Sequence, residues 1–276
     1  MPSPLPRIFG CDLELLIATE VLRLRSLHYG FWETPPAPVN LGAIRDAQAR
    51  FSVELMKFIP AHAKSVLDVG AGIGDNAQLL ARRGMKVTAI SPDRNHARYY
   101  RRLRAQGIRY IRTRFEDLDL AERFDLIFMC ESLNYFDREI GIQQCRSYLK
   151  PAGHLLIAAM FQRPEQRPFP PAFSADDLPY VALARKEGFA LLASRDVTQH
   201  VLPTMDYAHM SLQRYVFPFL QPFSPDSLAG HWLRKTPFRR IARSIHDIRT
   251  FYEHRTKSEY FRRHIRYMFL LLRRLP

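Results

Sequence analysis

Between Ser65 and Met160 short apolar runs alternate with amphipathic ones, and this rhythm constrains the fold more than anything else in the chain. Ser65–Val69, Lys86–Ile90, Arg109–Thr113, Phe124–Met129 and His154–Met160 read as strands. Asp75–Arg83, Asp93–Gln106 and Glu139–Leu149 read as the helices between them. Strands joined by helices of this length pair in parallel, and both faces of the sheet are then covered. Ser174-Ala-Asp-Asp177 opens a further helix that Gly188 stops, followed by a strand at Phe189–Ser194. Ile265–Leu272, apolar between arginine pairs, is expected to be the last strand, although periodicity alone does not separate it from a helix. The expected fold is α/β: a Rossmann-like, seven-stranded, mostly parallel sheet with helices on both faces.

The flanks read differently. The Pro-rich stretch from Thr34 to Pro38 cannot be helical and separates an N-terminal helical arm from the core. Ile44, Ala47, Phe51, Leu55 and Phe58 recur at helical spacing over 41–59, and Pro60 ends that helix. The segment from about His200 to Arg262 is rich in aromatic and basic residues and poor in strand character. The expected division is an arm and lid over 1–40, a core over 41–199, a mostly helical cap over 200–262 and a last strand over 263–276. Tyr207, Tyr215, Phe217, Phe219 and Phe223 of the cap suit an apolar pocket for a hydrophobic or aromatic molecule.

The chemistry is concentrated where the first strand breaks into glycines, Ser65-Val-Leu-Asp-Val-Gly-Ala-Gly-Ile-Gly-Asp-Asn76. Gly70, Gly72 and Gly74 let the backbone approach a bound molecule, and the next helix begins with free N–H groups. A dinucleotide fingerprint requires G-x-G-x-x-G, but this loop reads G-x-G-x-G, with Asp75 in the last position of the longer motif. Asp68 at the strand end would repel a pyrophosphate and attract a cation. A dehydrogenase is disfavoured, and a sulfonium amino acid fits.

Val66-Leu-Asp-Val-Gly-Ala-Gly-Ile-Gly74 resembles the first motif of the S-adenosylmethionine-dependent methyltransferases of class I. The resemblance implies that Asp68, Gly70, Ala71, Gly72, Gly74, Asp75 and Asn76 hold the methionine part of S-adenosyl-L-methionine. It implies a ribose contact at Ser91-Pro92, where the family usually has an acid. The Ile-Ser-Pro ending is similar to small-molecule members of the tocopherol-methyltransferase-like and cyclopropane-synthase-like kinds. Glu116 or Asp117 would lie near the adenine, and Cys130 and Glu131 would border the methyl group. Leu27-His-Tyr-Gly-Phe-Trp32 resembles a segment that closes over the cofactor, so Tyr29 and Trp32 are expected to cover the sulfonium. Candidate general bases are Glu131, His28, His200 and His209.

Charge and cysteine usage bound the partners. The net charge is +14, and residues 231–276 hold 11 Arg and 2 Lys against Asp247, Glu253 and Glu259, a local balance of +10. That segment is a candidate for peripheral contact with an anionic membrane. No proline follows Asn134, as it would in enzymes that methylate base amines, so no specific nucleic-acid partner is expected. Cys11, Cys130 and Cys145 are too widely spaced for a disulfide framework or a metal site. With no secretory signal and no apolar run of membrane-spanning length, a soluble cytoplasmic protein is expected. The leading expectation is methylation of a small, hydrophobic or aromatic molecule at O, N or C. A lipid-modifying enzyme of the cyclopropane-synthase type and a non-catalytic cofactor-binding module are the alternatives.

Overall fold

In a computed structural model of the chain, residues 13–35, 39–162, 168–169, 173–220 and 258–276 are described. The strands are β1 (Ser65–Val69), β2 (Lys86–Ile90), β3 (Arg109–Ile111), β4 (Phe124–Cys130), β5 (Leu149–Gln162), β6 (Phe189–Asp196) and β7 (Ile265–Arg274). They form one sheet in the order β3-β2-β1-β4-β5-β7-β6. From β3 across to β5 all neighbours are parallel. β7 runs antiparallel to both β5 and β6. The expected seven-stranded, mostly parallel sheet is the observed one.

The helices are α1 (Leu13–Leu16), α2 (Leu41–Met56), α3 (Asp75–Arg82), α4 (Ala97–Leu103), α5 (Arg138–Tyr148), α6 (Pro179–Lys186), α7 (Thr198–Ser211), α8 (Phe217–Leu220) and α9 (Ser258–His264). Side-chain caps set two of their starts. Asn40 accepts from the Ala43 N–H at 3.0 Å ahead of α2, and Asp137 accepts from Glu139 and Ile140 ahead of α5.

Several boundaries differ from expectation for local reasons. The α4 helix starts at Ala97 rather than Asp93, because Asp93 Oδ1 accepts from the Asn95 N–H at 2.8 Å and holds a turn there. Its last turn, Arg104–Gln106, tightens to a 3₁₀ helix. Ser174 caps a separate 3₁₀ turn, and the helix proper waits for Pro179 at its first position. The pairing of β4 with β5 shifts register between Phe124 and Leu126, and β5 begins at Leu149 rather than His154.

Alternation along the central strands divides the core into two faces. Val66, Leu126, Phe128, Leu156, Ala158, Tyr267, Phe269 and Leu271 pack on one face with Phe51 and Leu55 of α2, Leu80 of α3 and Val201 of α7. Leu67, Val69, Ile127, Met129, Leu155, Ile157, Met268 and Leu270 pack on the other with α5 and α6. Asp68 has the parity of the first face, and the N-terminal arm lies over that same face. Residues 221–257, which contain Phe223 and most of the basic segment, lie outside the described residues. In the described remainder of that segment, Phe261 and Tyr267–Leu272 are buried in the core. Their apolar surface is therefore used within the fold rather than presented to a membrane. Among the described residues, no helix is long and apolar enough to cross a membrane.

Candidate cofactor and acid-base site

The glycine loop turns at the carboxyl end of β1. Gly70, Gly72 and Gly74 have φ of +73°, +51° and +88°. A Cβ on Gly70 would stand 2.3 Å from that of Ser132, so here the absence of a side chain is a packing requirement as well as a conformational one. The Gly70 and Ala71 N–H groups both donate to the Ile90 carbonyl at 3.0 Å. Tyr100, stacked on Tyr110 at 4.2 Å, donates its hydroxyl to the Ala71 carbonyl at 2.9 Å.

Three buried polar atoms beside this loop lack hydrogen-bond partners among the described residues: Asp68 Oδ2, Ser132 Oγ and Asp75 Oδ2, the last of which has His28 as an ion-pair partner. Asp68 is 2% exposed. Burial, with the nearby Asp75 charge adding to it, pushes its carboxyl well above the usual range. A carboxylate held this way is a receptor for a cation that brings its own hydrogen-bond donors, such as an ammonium group.

The arm is fastened around the loop by His28. Its Nε2 lies 3.0 Å from Ser52 Oγ and 3.3 Å from Asp75 Oδ2, its Nδ1 lies 2.8 Å from the Tyr29 carbonyl oxygen, and its ring stacks on Phe51 at 4.6 Å. Burial alone would discharge the imidazole, but Asp75 outweighs it and raises the pKa. Burial likewise opposes the Asp75 charge, and His28 and Ser26 outweigh it and hold the carboxyl low. Ser52 donates to Asn76 Oδ1 at 3.1 Å, which ties α2 to the start of α3. His28 is therefore a buried ion-pair partner of Asp75.

Glu131, just past β4, adopts φ +63°, a left-handed conformation that costs a non-glycine residue roughly 1 kcal/mol. Its N–H donates to the Ala158 carbonyl at 2.9 Å, and Oε1 accepts a short hydrogen bond from the Tyr267 hydroxyl. Burial raises its carboxyl to about 7 against the opposing influence of Tyr267 and His28. Cys130 beside it is pushed well up by burial, with Glu131, Asp75 and Asp68 adding to the shift. These groups form one cluster of acids in low-dielectric surroundings.

The other expected positions have surroundings of their own. Trp32 is buried with Ile44 and Ala47, and its Nε1 donates to Thr204 Oγ1 at 2.8 Å. His200 stacks on Phe31 at 4.1 Å, and its Nδ1 lies 2.8 Å from the Trp32 carbonyl oxygen, so it joins the arm to α7. Tyr29 stays at the site, edge-on to Tyr267 at 5.5 Å. Ser91 Oγ lies 2.8 Å from His96 Nδ1 and accepts from the Asp93 N–H, and Pro92 beside it is exposed. Glu116 and Asp117 share Arg114 at 2.7 and 3.8 Å, and Asp117 is largely solvated. Tyr267 and Ser52 carry no motif in the sequence that points to the site; Leu27, in the segment that resembles a cofactor-closing one, has a Cδ1 that would meet a Cβ on Gly72 at 3.6 Å.

The sheet order, the antiparallel β7 and the glycine loop beside an unpartnered acid define a Rossmann-like domain of the class I methyltransferase architecture. Residues 67–157 match the family described as a methyltransferase domain. Methyltransferase GfsG of Streptomyces halstedii is 30% identical over 197 residues, 67% of this chain and 65% of that protein. Ubiquinone biosynthesis O-methyltransferase of Bradyrhizobium diazoefficiens is 26% identical over 52% of this chain and 62% of its own length. The chain thus spans somewhat less than two thirds of these curated relatives. The fold is similar to that of geranyl diphosphate C-methyltransferase from Streptomyces coelicolor A3(2), solved with Mg2+, geranyl-S-thiolodiphosphate and S-adenosyl-L-homocysteine. The TM-score is 0.64 at 15% identity, covering 96% of this chain and 94% of that one.

Proposed function

We propose that this chain is an S-adenosylmethionine-dependent methyltransferase that acts on a small, hydrophobic or aromatic molecule. The observation that carries the reading is the unpartnered Asp68 carboxylate, buried at the end of β1 against a glycine loop in which a Cβ at Gly70 has no room. Bound there, S-adenosyl-L-methionine supplies an electrophilic methyl group. Asp68 receives the ammonium group, Gly70, Ala71, Gly72 and Gly74 give close backbone approach, and Asp75 and Asn76 brace the loop. Ser91-Pro92 faces the ribose and Glu116-Asp117 the adenine end, with Cys130 and Glu131 on the acceptor side beside Tyr29. The arm and α7 exclude water, so the protein acts mainly by orientation. The names of the relatives support a small-molecule acceptor. Free thiols at Cys130 and Cys145 suit a reducing cytoplasm.

Calorimetric titration with S-adenosylmethionine and S-adenosylhomocysteine tests the reading. The wild type binds both, and Asp68→Ala and Gly72→Val lose at least tenfold in affinity. A folded wild type that binds neither overturns it.

A further inference from the structure

Tyr267 and Glu131 meet although 136 residues separate them. Parallel pairing sets Cys130 beside Ala158, and antiparallel pairing sets Met160 beside Tyr267, so the two side chains converge at one end of β4, β5 and β7. Tyr267 is fully buried, its ring edge-on to Phe51 and Tyr29 at 5.7 and 5.5 Å, and its own N–H is held by Thr198 Oγ1 at 2.9 Å. The phenol is therefore fixed independently of Glu131. On the other side, the left-handed backbone at Glu131 places Ser132 against Gly70, so the carboxyl stands next to the cofactor loop. Strain held at a half-buried ionisable residue by packing from three strands marks a site of use.

We propose that Tyr267 and Glu131 form one acid-base unit, with Tyr267 as the positioning residue that orients Glu131 to take the proton from a neutral hydroxyl acceptor. This rests on the methyltransferase reading and narrows its acceptor class. The acceptor O–H proton passes to Glu131 as the new O–C bond forms, the methyl C–S bond breaks and its electron pair stays on sulfur. A hydroxyl needs a base in that step. A neutral amine attacks with its lone pair and releases its proton afterwards to water, and so has no use for an oriented carboxylate. Tyr267 of β7 and His28 of the arm act on Glu131 directly; the Cys130 thiol lies beside it, with Asp75 of α3 and Asp68 of β1 acting on that thiol and Tyr29 of the arm on Tyr267.

The test is infrared titration of the carboxyl C=O band in the wild type, Glu131→Gln and Tyr267→Phe, each checked for folding by its thermal midpoint. The wild type shows a band titrating near neutral pH that Glu131→Gln lacks. In Tyr267→Phe its midpoint moves up, because a hydrogen bond to the carboxylate is lost. A wild type with no such band, or an unchanged midpoint in Tyr267→Phe, overturns the unit. For the acceptor class, 2-naphthol is added to the protein saturated with S-adenosylhomocysteine. Protein-dependent naphtholate emission that disappears in Glu131→Gln supports a hydroxyl beside the base, and absence of that emission from the wild type overturns the assignment. Calorimetry of S-adenosylhomocysteine on the same wild-type sample separates these failures from failure of the methyltransferase reading.

Discussion

At the level of single residues the loop leaves little freedom. Gly70 combines φ +73° with a neighbour 2.3 Å from any added Cβ, and that neighbour is itself a Cβ that no rotamer can move. Gly70→Ala should therefore destabilise the protein by about 2–3 kcal/mol, the sum of left-handed strain and overpacking. Adding Ser132→Gly to Gly70→Ala should return only the overpacking part. Chemical denaturation of the three proteins measures both, and a double variant no more stable than the single one would rule out the clash. Asp68 shows the opposite balance, since the isolated carboxylate burdens the fold and serves only a ligand. Asp68→Asn should raise the thermal midpoint of the ligand-free protein at neutral pH while weakening cofactor binding roughly 10–100-fold, the loss expected for one charge-assisted contact. A variant that loses both stability and affinity would mean that Asp68 is structural.

At the level of elements, the arm is held by polar contacts at both ends of its short run. The Gly30 N–H and Trp32 Nε1 both donate to Thr204 Oγ1, the Phe31 N–H donates to the Ala47 carbonyl, and the Trp32 N–H donates to the His200 carbonyl. Thr204→Val should leave two donors unpaired and cost about 1–3 kcal/mol. Faster amide exchange over 28–32 than over β1 would locate the loss in the arm. The same contacts explain how far the sequence could be read. The strand and helix rhythm of the core and the glycine break after β1 are local signals, carried by neighbouring residues, and they were legible. The Tyr267–Glu131 contact and the Trp32–Thr204 bond depend on which strands and helices lie side by side, and no spacing in the chain announces them. The surroundings of Trp32 depend on the same pairing: an aromatic residue before the core suits a lid or a wall equally well until α7 is in place.

At the level of the whole molecule, the site makes stability depend on pH in two opposite directions. His28 has its pKa raised above 6.5 and Asp75 has its own lowered below 3.8. Their pair is complete between those values, is lost as pH rises through the folded value of His28, and is lost again as pH falls through that of Asp75. Asp68 and Glu131 behave in the other sense. Both carboxyls are raised, so the folded chain holds protons that the unfolded chain releases, and stability declines as pH rises from their unfolded values through the folded ones, about 7 for Glu131. Cationic groups on a bound cofactor offset that decline. The thermal shift produced by S-adenosylmethionine should therefore be larger at pH 8 than at pH 6, at ~2–4 °C for each kcal/mol in a chain of this size. S-adenosylhomocysteine, which lacks the sulfonium charge, should give the smaller shift at both pH values, and Glu131→Gln should raise the ligand-free midpoint at pH 8 while leaving it nearly unchanged at pH 5. Equal shifts at the two pH values, with Glu131→Gln no more stable than the wild type at pH 8, would show that the two carboxyls are already neutralised within the protein and are not held for a cation.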